Sequence, residues 1–364
     1  MYKCKSFLLL LATVAVCYAR KLDEQDILHT MQNILKKSEK EVNNRPLIGV
    51  LSQPGEPAPE GMSYIAASYV KFVEMAGGRA VPIEYDLPQS EVKKRFDAIN
   101  GLLVPGGSGN LTKGHPFYDN TEYLLKLAIE ANDNGDYFPV HGTCLGLEVL
   151  SIIAAQNATL LSKFNAEDNA SPLYLTEAAE KSKFFKSLGN KVKRSLQEKP
   201  LAMENHSNGV RWSSYGENPL LQDFFKVLSL SADRDERIYI STIEAHKYPV
   251  TATQWHPEKN VFEWATHLHV PHSFEAIQVT AAVANFLVSE ARRNFHEPAN
   301  LLQEQDLMMY NFCPVYTGKE KHEGEEVDFD QAYFFPEWKE PSAHEADPAQ
   351  SDFEIELRLA ASAA

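Results

Sequence analysis

Cysteine and histidine are the side chains best suited to covalent acyl transfer near neutral pH, and this chain sets one of each in a suggestive context. Cys144 lies in Gly142-Thr143-Cys144-Leu145-Gly146, between a predicted strand and a predicted helix. A sharp strand-to-helix turn lifts the side chain at its apex clear of the sheet, and close packing leaves room only for glycine on either side. The N-terminus of the next helix then supplies unpaired N–H groups and positive dipole beside the sulfur, which favours the nucleophilic thiolate. A buried structural cysteine between two chance glycines would have the same local sequence. His256 lies in Gln254-Trp255-His256-Pro257-Glu258. Residues two apart in extended backbone face one side, and Pro257 favours extended backbone before it. Glu258 is then placed to hold the imidazole in one tautomer. A His-Pro-Glu alone is weak; together with the cysteine elbow it carries more.

A third feature is Pro105-Gly106-Gly107-Ser108 at a predicted strand end. Glycines there let a backbone N–H, that of Gly107, face a developing oxyanion, with Leu145 N–H as the second donor. Each such donor is worth about 3–4 kcal/mol in a transition state. An ordinary glycine-rich turn is the plainer reading. Glu148, one helical turn beyond Cys144, either reaches toward the site or makes a polar contact at the core edge. The histidines show no metal-ligand spacing of the HExxH kind, so no metal and no other cofactor is expected. His267, His269 and His272 read as surface residues of a loop.

These groups need a frame to hold them, and the hydrophobic pattern supplies one. Leu47 to Leu51, Arg79 to Glu84, Ile99 to Val104 and Tyr137 to His141 read as short apolar strands. They alternate with predicted helices over Ser63 to Met75, Pro88 to Ala98, Asp119 to Asn132 and Leu145 to Ala155. That alternation implies an α/β fold with a doubly wound, mostly parallel central sheet flanked by helices. Asn157 to Glu217 is less regular and is expected to form antiparallel strands and loops around the site. Further strands are predicted at Val227–Leu230, Ile238–Ile243 and Val250–Trp255, and a long helix at Phe274–Asn294.

The ends differ in character. Lys3 and Lys5 precede the apolar run Phe7 to Val16, and small residues stand at Cys17 and Ala19. This pattern predicts a signal peptide over 1–19; the run is too short to span a bilayer of about 30 Å, so no membrane anchor is expected. Residues 20–44 form a charged segment of helical pattern, and a catalytic domain is expected over 45–318. The remainder, 319–364, is acidic and is predicted to be disordered, above all from Glu340. Deleting Glu340 to Ala364 is expected to lower the melting temperature by less than about 3 °C; a larger fall in a thermal melt would show that this stretch packs.

The formal net charge of −15 gives no general attraction for phosphate backbones, so a nucleic-acid partner is not expected. Beyond the predicted signal only Cys144 and Cys313 remain, too few for a disulfide framework. With the signal, sequons at Asn110, Asn157 and Asn169 fit a glycoprotein of the secretory pathway. A fourth, at Asn205, overlaps His206 and is expected to stay unoccupied.

The three motifs, in the order PGGS, GTCLG, QWHPE, resemble those of class I glutamine amidotransferase domains. Within that superfamily the chain is most similar to the γ-glutamyl hydrolases, the folate polyglutamate hydrolases of lysosomes and secretions. Further likeness lies in Arg45-Pro46-Leu47-Ile48-Gly49-Val50, Tyr64 to Lys71, Asp136 to Val140, Tyr248-Pro249-Val250 and Cys313-Pro314-Val315-Tyr316-Thr317-Gly318. The resemblance implies Cys144 as nucleophile, His256 as base and Glu258 as its orienting acid. It also implies a second functional histidine, best matched by His206 in Met203-Glu204-Asn205-His206-Ser207. His141 stands where vertebrate relatives are expected to carry tryptophan, at the edge of the site. Residues 320–364 have no counterpart in it. The implied substrates are small molecules, folyl poly-γ-glutamates, handled in the lysosome or the extracellular space. Their carboxylates require local cations, for which Lys71, Arg211 and Lys259 are candidates. A homodimer stays open. Two rival functions are a glutaminase that passes ammonia to a synthetase, for which no attached synthetase domain is seen, and a non-catalytic secreted binding protein of the same fold.

Overall fold

The structure, a computed structural model, describes residues 42–339 apart from 320, 323 and 324, with backbone only at 321, 322, 325 and 326. Gln25, Leu28 and His29 are also described, and all three are helical. The rest of the predicted signal peptide and N-terminal segment, and the stretch from Glu340 onward, lie outside the described residues. By its contacts the catalytic unit begins at Asn43.

Runs of β-branched and aliphatic residues form strands buried on both faces, as a parallel sheet covered by helices requires. The strands are β1 (Leu47–Leu51), β2 (Met62–Ala66), β3 (Arg79–Ile83), β4 (Gly101–Val104) and β5 (Val140–Thr143). They continue as β6 (Leu161–Ser171), β7 (Tyr174–Leu175), β8 (Ala202–Val210), β9 (Phe225–Ala232), β10 (Ile238–Ala245) and β11 (Val250–Thr253). The central sheet has eight strands in the order β3-β1-β4-β5-β11-β10-β9-β7. The first five are parallel; β10, β9 and β7 extend the sheet antiparallel.

Six larger helices cover it: α1 (Ala67–Met75), α2 (Gln89–Phe96), α3 (Pro116–Asp133), α4 (Leu145–Ala155), α5 (Lys183–Glu198) and α6 (Phe274–Ala291). Helices α2, α3 and α4 bury Phe96, Leu124 and Leu150 on one face of the sheet. Helices α1, α5 and α6 bury Phe72, Phe184 and Val283 on the other. This is the predicted doubly wound architecture. Among the described residues no helix is long and apolar enough to cross a membrane.

Three local expectations are corrected. Ser63 to Met75 is not one helix. Its first residues form β2, because Met62–Ala66 pairs antiparallel with a C-terminal strand, β12 (Gln331–Pro336), in the register Tyr64↔Phe334. That partner lies far along the chain, and local periodicity cannot reveal it. For the same reason the expected disorder of 319–364 fails over its first part: Ala332 and Phe335 are fully buried in β12. The ordered unit therefore runs past 318. The irregular stretch 157–217 does hold the antiparallel pair β6–β8, but it also holds α5. There Ser182 caps the helix by accepting from Phe185 N–H, and Phe184, Phe185 and Leu188 face the core. A kink at Gly189, φ 76°, interrupts the helical period that would have shown it.

His141 is a core residue rather than a site-edge one. It is buried on β5, stacks on Phe184, and has Nδ1 2.9 Å from Thr251 Oγ1. Burial pushes its pKa down from 6.5 to about 4. Below pH 6.5 the unfolded chain takes up a proton that the folded chain refuses, so stability is lost as pH falls from 6.5 toward 4. Between pH 7 and pH 5 the loss from this residue is about 2 kcal/mol. His141→Gln is expected to flatten the pH dependence of the unfolding free energy by that amount in urea titrations; an unchanged slope would refute the argument.

Candidate active site

The catalytic elements meet where β5 and β11, hydrogen-bonded neighbours, reach their C-terminal ends. Cys144 follows β5 directly and is the residue before α4. Its backbone has φ 52° and ψ −107°, a conformation that costs a non-glycine residue on the order of 1–3 kcal/mol. The surroundings enforce the turn. A methyl group at Gly146 would lie 2.1 Å from the Val104 carbonyl oxygen, and one at Gly142 would lie 2.7 Å from the Gly146 carbonyl carbon. Both glycines of GTCLG are thus sterically required. Cys144 N–H donates to the Thr253 carbonyl at 2.7 Å, tying the elbow to the end of β11.

The segment after β11 is fixed as firmly. Trp255 is fully buried and donates from Nε1 to Thr242 Oγ1 at 3.1 Å. His256 N–H donates to the Met203 carbonyl at 2.8 Å, and Thr280 Oγ1 donates to the Pro257 carbonyl at 2.6 Å. Glu258 Oε1 lies 2.7 Å from His256 Nδ1. A buried carboxylate at that distance places the proton on Nδ1 and leaves Nε2 with its lone pair, the tautomer a general base needs. The predicted pair is therefore present, though by a different route. Glu258 has helical backbone, φ −74° and ψ −32°, and opens a short helix; the contact is made across a turn and not along an extended segment.

Gly106 shows how closely the partners approach. A methyl group there would fall 2.8 Å from His256 Cε1 and 3.2 Å from Cys144 Cβ. Gly106 N–H donates to Tyr69 Oη at 2.8 Å, and that hydroxyl lies 3.3 Å from His256 Nδ1. Of the PGGS amides, Gly106 is thereby engaged, whereas Gly107 lines the cleft beside Cys144. Leu145 N–H acts on the Cys144 thiol and pulls its pKa down. Sγ lies 3.8 Å from Gln254 Nε2 and 4.0 Å from the Asn205 carbonyl. Catalytic contacts of this kind commonly tighten only once substrate is bound.

One electrostatic expectation is reversed. Burial pushes the Cys144 thiol well above its ordinary range, and the Glu148 carboxylate adds to this. The Leu145 N–H and Lys259 pull the other way but do not win. Burial and Glu148 thus favour the neutral thiol against the pull of the helix N-terminus, which leaves its ionisation to proton transfer to a base.

His206 sits on β8 next to the cleft-lining Asn205, but its own side chain is buried behind the cleft. Nδ1 lies 2.6 Å from the Asn208 carbonyl and Nε2 lies 3.3 Å from Glu204 Oε2. Burial disfavours the imidazolium, but the Glu204 carboxylate, then Glu148 and the Asn208 carbonyl, outweigh it and hold the pKa above 6.5. Gln254 Nε2 donates to Glu148 Oε1 at 3.0 Å and reaches toward Cys144. Glu148 is thus a buried link between His206 and the nucleophile, rather than a core-edge contact.

The cleft has a volume of about 640 Å³. Three of its lining residues, Val327, Asp328 and Phe329, come from the C-terminal part expected to be disordered. They are held there by β12, and Phe329 packs on Tyr64 with ring centroids 5.8 Å apart. Of the three candidate cations the structure selects Lys259, which lines the cleft. Lys71 instead donates to Gln331 at 2.6 Å, and Arg211 is exposed outside the lining. His267 is not a free surface residue: its Nε2 lies 2.8 Å from Asp328 Oδ1. His269 is exposed and pairs with Asp168, and His272 stacks on Trp264.

Sequence reading missed Tyr69, Gln254 and Asp328. Tyr69 looked like one more member of an apolar helix stripe, and nothing local to Asp328 signals a cleft. Only Gln254, inside QWHPE, carried a usable signal.

Comparison with known proteins agrees with this geometry. Residues 46–258 match the Peptidase C26 family. A γ-glutamyl hydrolase of Rattus norvegicus is 40% identical, over 80% of this chain and 90% of its own length. Gamma-glutamyl hydrolase 1 of Arabidopsis thaliana is 38% identical over 76% of this chain and 80% of its own. The γ-glutamyl hydrolase of Homo sapiens is 36% identical over 80% and 90%. The matched segment contains the elbow and the histidine–glutamate pair, and this chain belongs to the Peptidase C26 family and is a homologue of the γ-glutamyl hydrolases.

Proposed function

We propose that this chain is a cysteine hydrolase that cleaves γ-glutamyl amide bonds of folyl poly-γ-glutamates through a thioester on Cys144. The observation that carries the reading is Cys144 at a strained elbow beside His256, whose Nδ1 is held by Glu258 at 2.7 Å. His256 Nε2 takes the thiol proton as sulfur attacks the γ-carbonyl carbon. The carbonyl oxygen becomes an oxyanion facing the N–H groups of Leu145 and Gly107. The C–N bond breaks as His256 returns the proton to the departing amine. Water then attacks the thioester, losing its proton to His256, and the collapse releases the γ-carboxylate and restores the thiol. Tyr69 and Glu258 both contact Nδ1 and so help to orient the imidazole.

The cleft supports a substrate larger than glutamine. Its volume of about 640 Å³ falls in the range of sites that enclose drug-sized ligands, whereas released ammonia needs little more than the space of one water. The route through the secretory pathway to lysosome or extracellular space belongs to the same proposal. It is supported by the basic-then-apolar run ending at Val16 and by Asn110, Asn157 and Asn169, none of which is buried. That Asn205 stays unoccupied is supported by its amide, whose Nδ2 donates to Asp328 at 2.7 Å and whose Oδ1 accepts from Asp168 N–H at 2.9 Å.

Rapid acid quenching during turnover of pteroyl γ-pentaglutamate, followed by peptide mass analysis, tests the mechanism. The expected result is a pteroylglutamyl adduct on the peptide containing Cys144. Steady turnover with an adduct on another residue, or with none at any quench time, would count against the thioester.

A further inference from the structure

We infer that Lys259 is the specificity-determining residue that recognises the α-carboxylate of the glutamyl unit whose γ-amide is cleaved. The inference rests on the γ-glutamyl hydrolase reading and deepens it.

Lys259 is 1% exposed, and among the described residues its Nζ has no hydrogen-bond partner. An ammonium has three protons to donate, and a buried charge without partners is costly. Its nearest ion-pair partner, Asp328 Oδ2, lies 3.9 Å away, beyond hydrogen-bond length. That carboxylate is already engaged by His267 Nε2 on Oδ1 at 2.8 Å and by Asn205 Nδ2 on Oδ2 at 2.7 Å. On another side the ammonium meets the Phe329 ring, 4.9 Å from the centroid, which attracts the cation without accepting its protons as a carboxylate would. Among the described residues nothing accepts from the Nζ donors, and the residue lines the same cleft as Cys144 and His256.

Charge narrows the ligand. Among the described cleft-lining residues the acids are Glu56, Glu167 and Asp328, and Lys259 is the one lysine or arginine. An anionic substrate is thus repelled from most of the cleft and favoured at one point. That point is assigned to the acyl side of the scissile bond: Lys259 follows Glu258 directly and lines one cleft with Cys144 and His256. In a γ-glutamyl substrate the group on that side, a short reach from the reacting carbonyl, is the α-carboxylate. A buried, pre-placed ammonium that finds no acceptor rejects a ligand lacking that group far more strongly than a solvated one would.

The test uses three substrates: pteroyl-γ-glutamylglutamate, its analogue with the inner α-carboxylate converted to carboxamide, and its analogue with the outer α-carboxylate so converted. The wild-type protein is expected to prefer the parent over the inner carboxamide by about 10²-fold in kcat/KM, with a smaller penalty for the outer one. In Lys259→Met, with folding checked by circular dichroism and thermal melting, the inner-carboxamide penalty is expected to shrink to within about threefold. The inference is overturned if wild type cleaves the inner carboxamide as well as the parent, a result that requires no variant. It is equally overturned if a folded Lys259→Met retains the full penalty, or if the outer carboxamide alone is rejected. Failure of wild type to cleave even the parent would instead strike the hydrolase reading on which the inference stands.

Discussion

Cys144→Ala is expected to lower kcat on folyl γ-polyglutamates by about 10⁴-fold or more, the scale seen when a covalent nucleophile is removed, with the fold unchanged. The side chain is small and already buried. Removing one sulfur from a site whose backbone is held by Cys144 N–H to Thr253 O disturbs little else. The φ of 52° remains unfavourable for alanine, so no gain in stability is expected. Iodoacetamide labelling of the Cys144 peptide must vanish as well, and Cys313, which is exposed, serves as the internal control. A well-folded Cys144→Ala protein with activity within tenfold of wild type would remove the nucleophile from the account.

The second large effect is expected at His206. Its ring lies between Glu204, 3.3 Å from Nε2, and the field of Glu148, and both carboxylates favour its charged form. Because Glu148 raises the Cys144 pKa, loss of the neighbouring ring, whose charged form offsets that carboxylate, makes the thiol harder to ionise. His206→Ala is therefore expected to lower kcat by about 10²-fold, comparable with the loss of acid–base help. The pH profile of Cys144 alkylation should also move to higher pH. A merely structural role would lower the melting temperature without moving that profile. Activity within a few-fold of wild type, together with an unshifted profile, would return His206 to the core.

The parts of the site that could be read from sequence are those whose physics is local. GTCLG announces itself because an elbow that brings Gly142 against Gly146, and Gly146 against Val104, cannot carry a Cβ at either place. QWHPE does so because His256 and Glu258 are close enough along the chain to meet under either an extended or a turned backbone. The central sheet is legible because its strands β1, β3 and β4 are compact apolar runs alternating with helices. What escaped depends on distant partners. The strand character of Met62–Ala66 and the order of Gln331–Pro336 create each other, and neither segment shows it alone. The same pairing brings Asp328 and Phe329 to the cleft, where they frame Lys259. The ionisation of Cys144 escaped for another reason. The helix N-terminus is visible in the sequence, but the depth of burial and the position of Glu148 that outweigh it are not.

The most direct test of γ-glutamyl hydrolysis is a side-by-side measurement of kcat/KM on pteroyl γ-pentaglutamate and on free glutamine, at mildly acid and at neutral pH. The two substrates use the same thiol, histidine and oxyanion donors and differ in the leaving group, which must fit a cleft of about 640 Å³ bounded by Asp328 and Phe329. The expected result is rapid hydrolysis of the polyglutamate and weak activity on glutamine at both pH values. A preference for glutamine of more than tenfold, about 1.4 kcal/mol in transition-state binding, would contradict the account and put a glutaminase in its place.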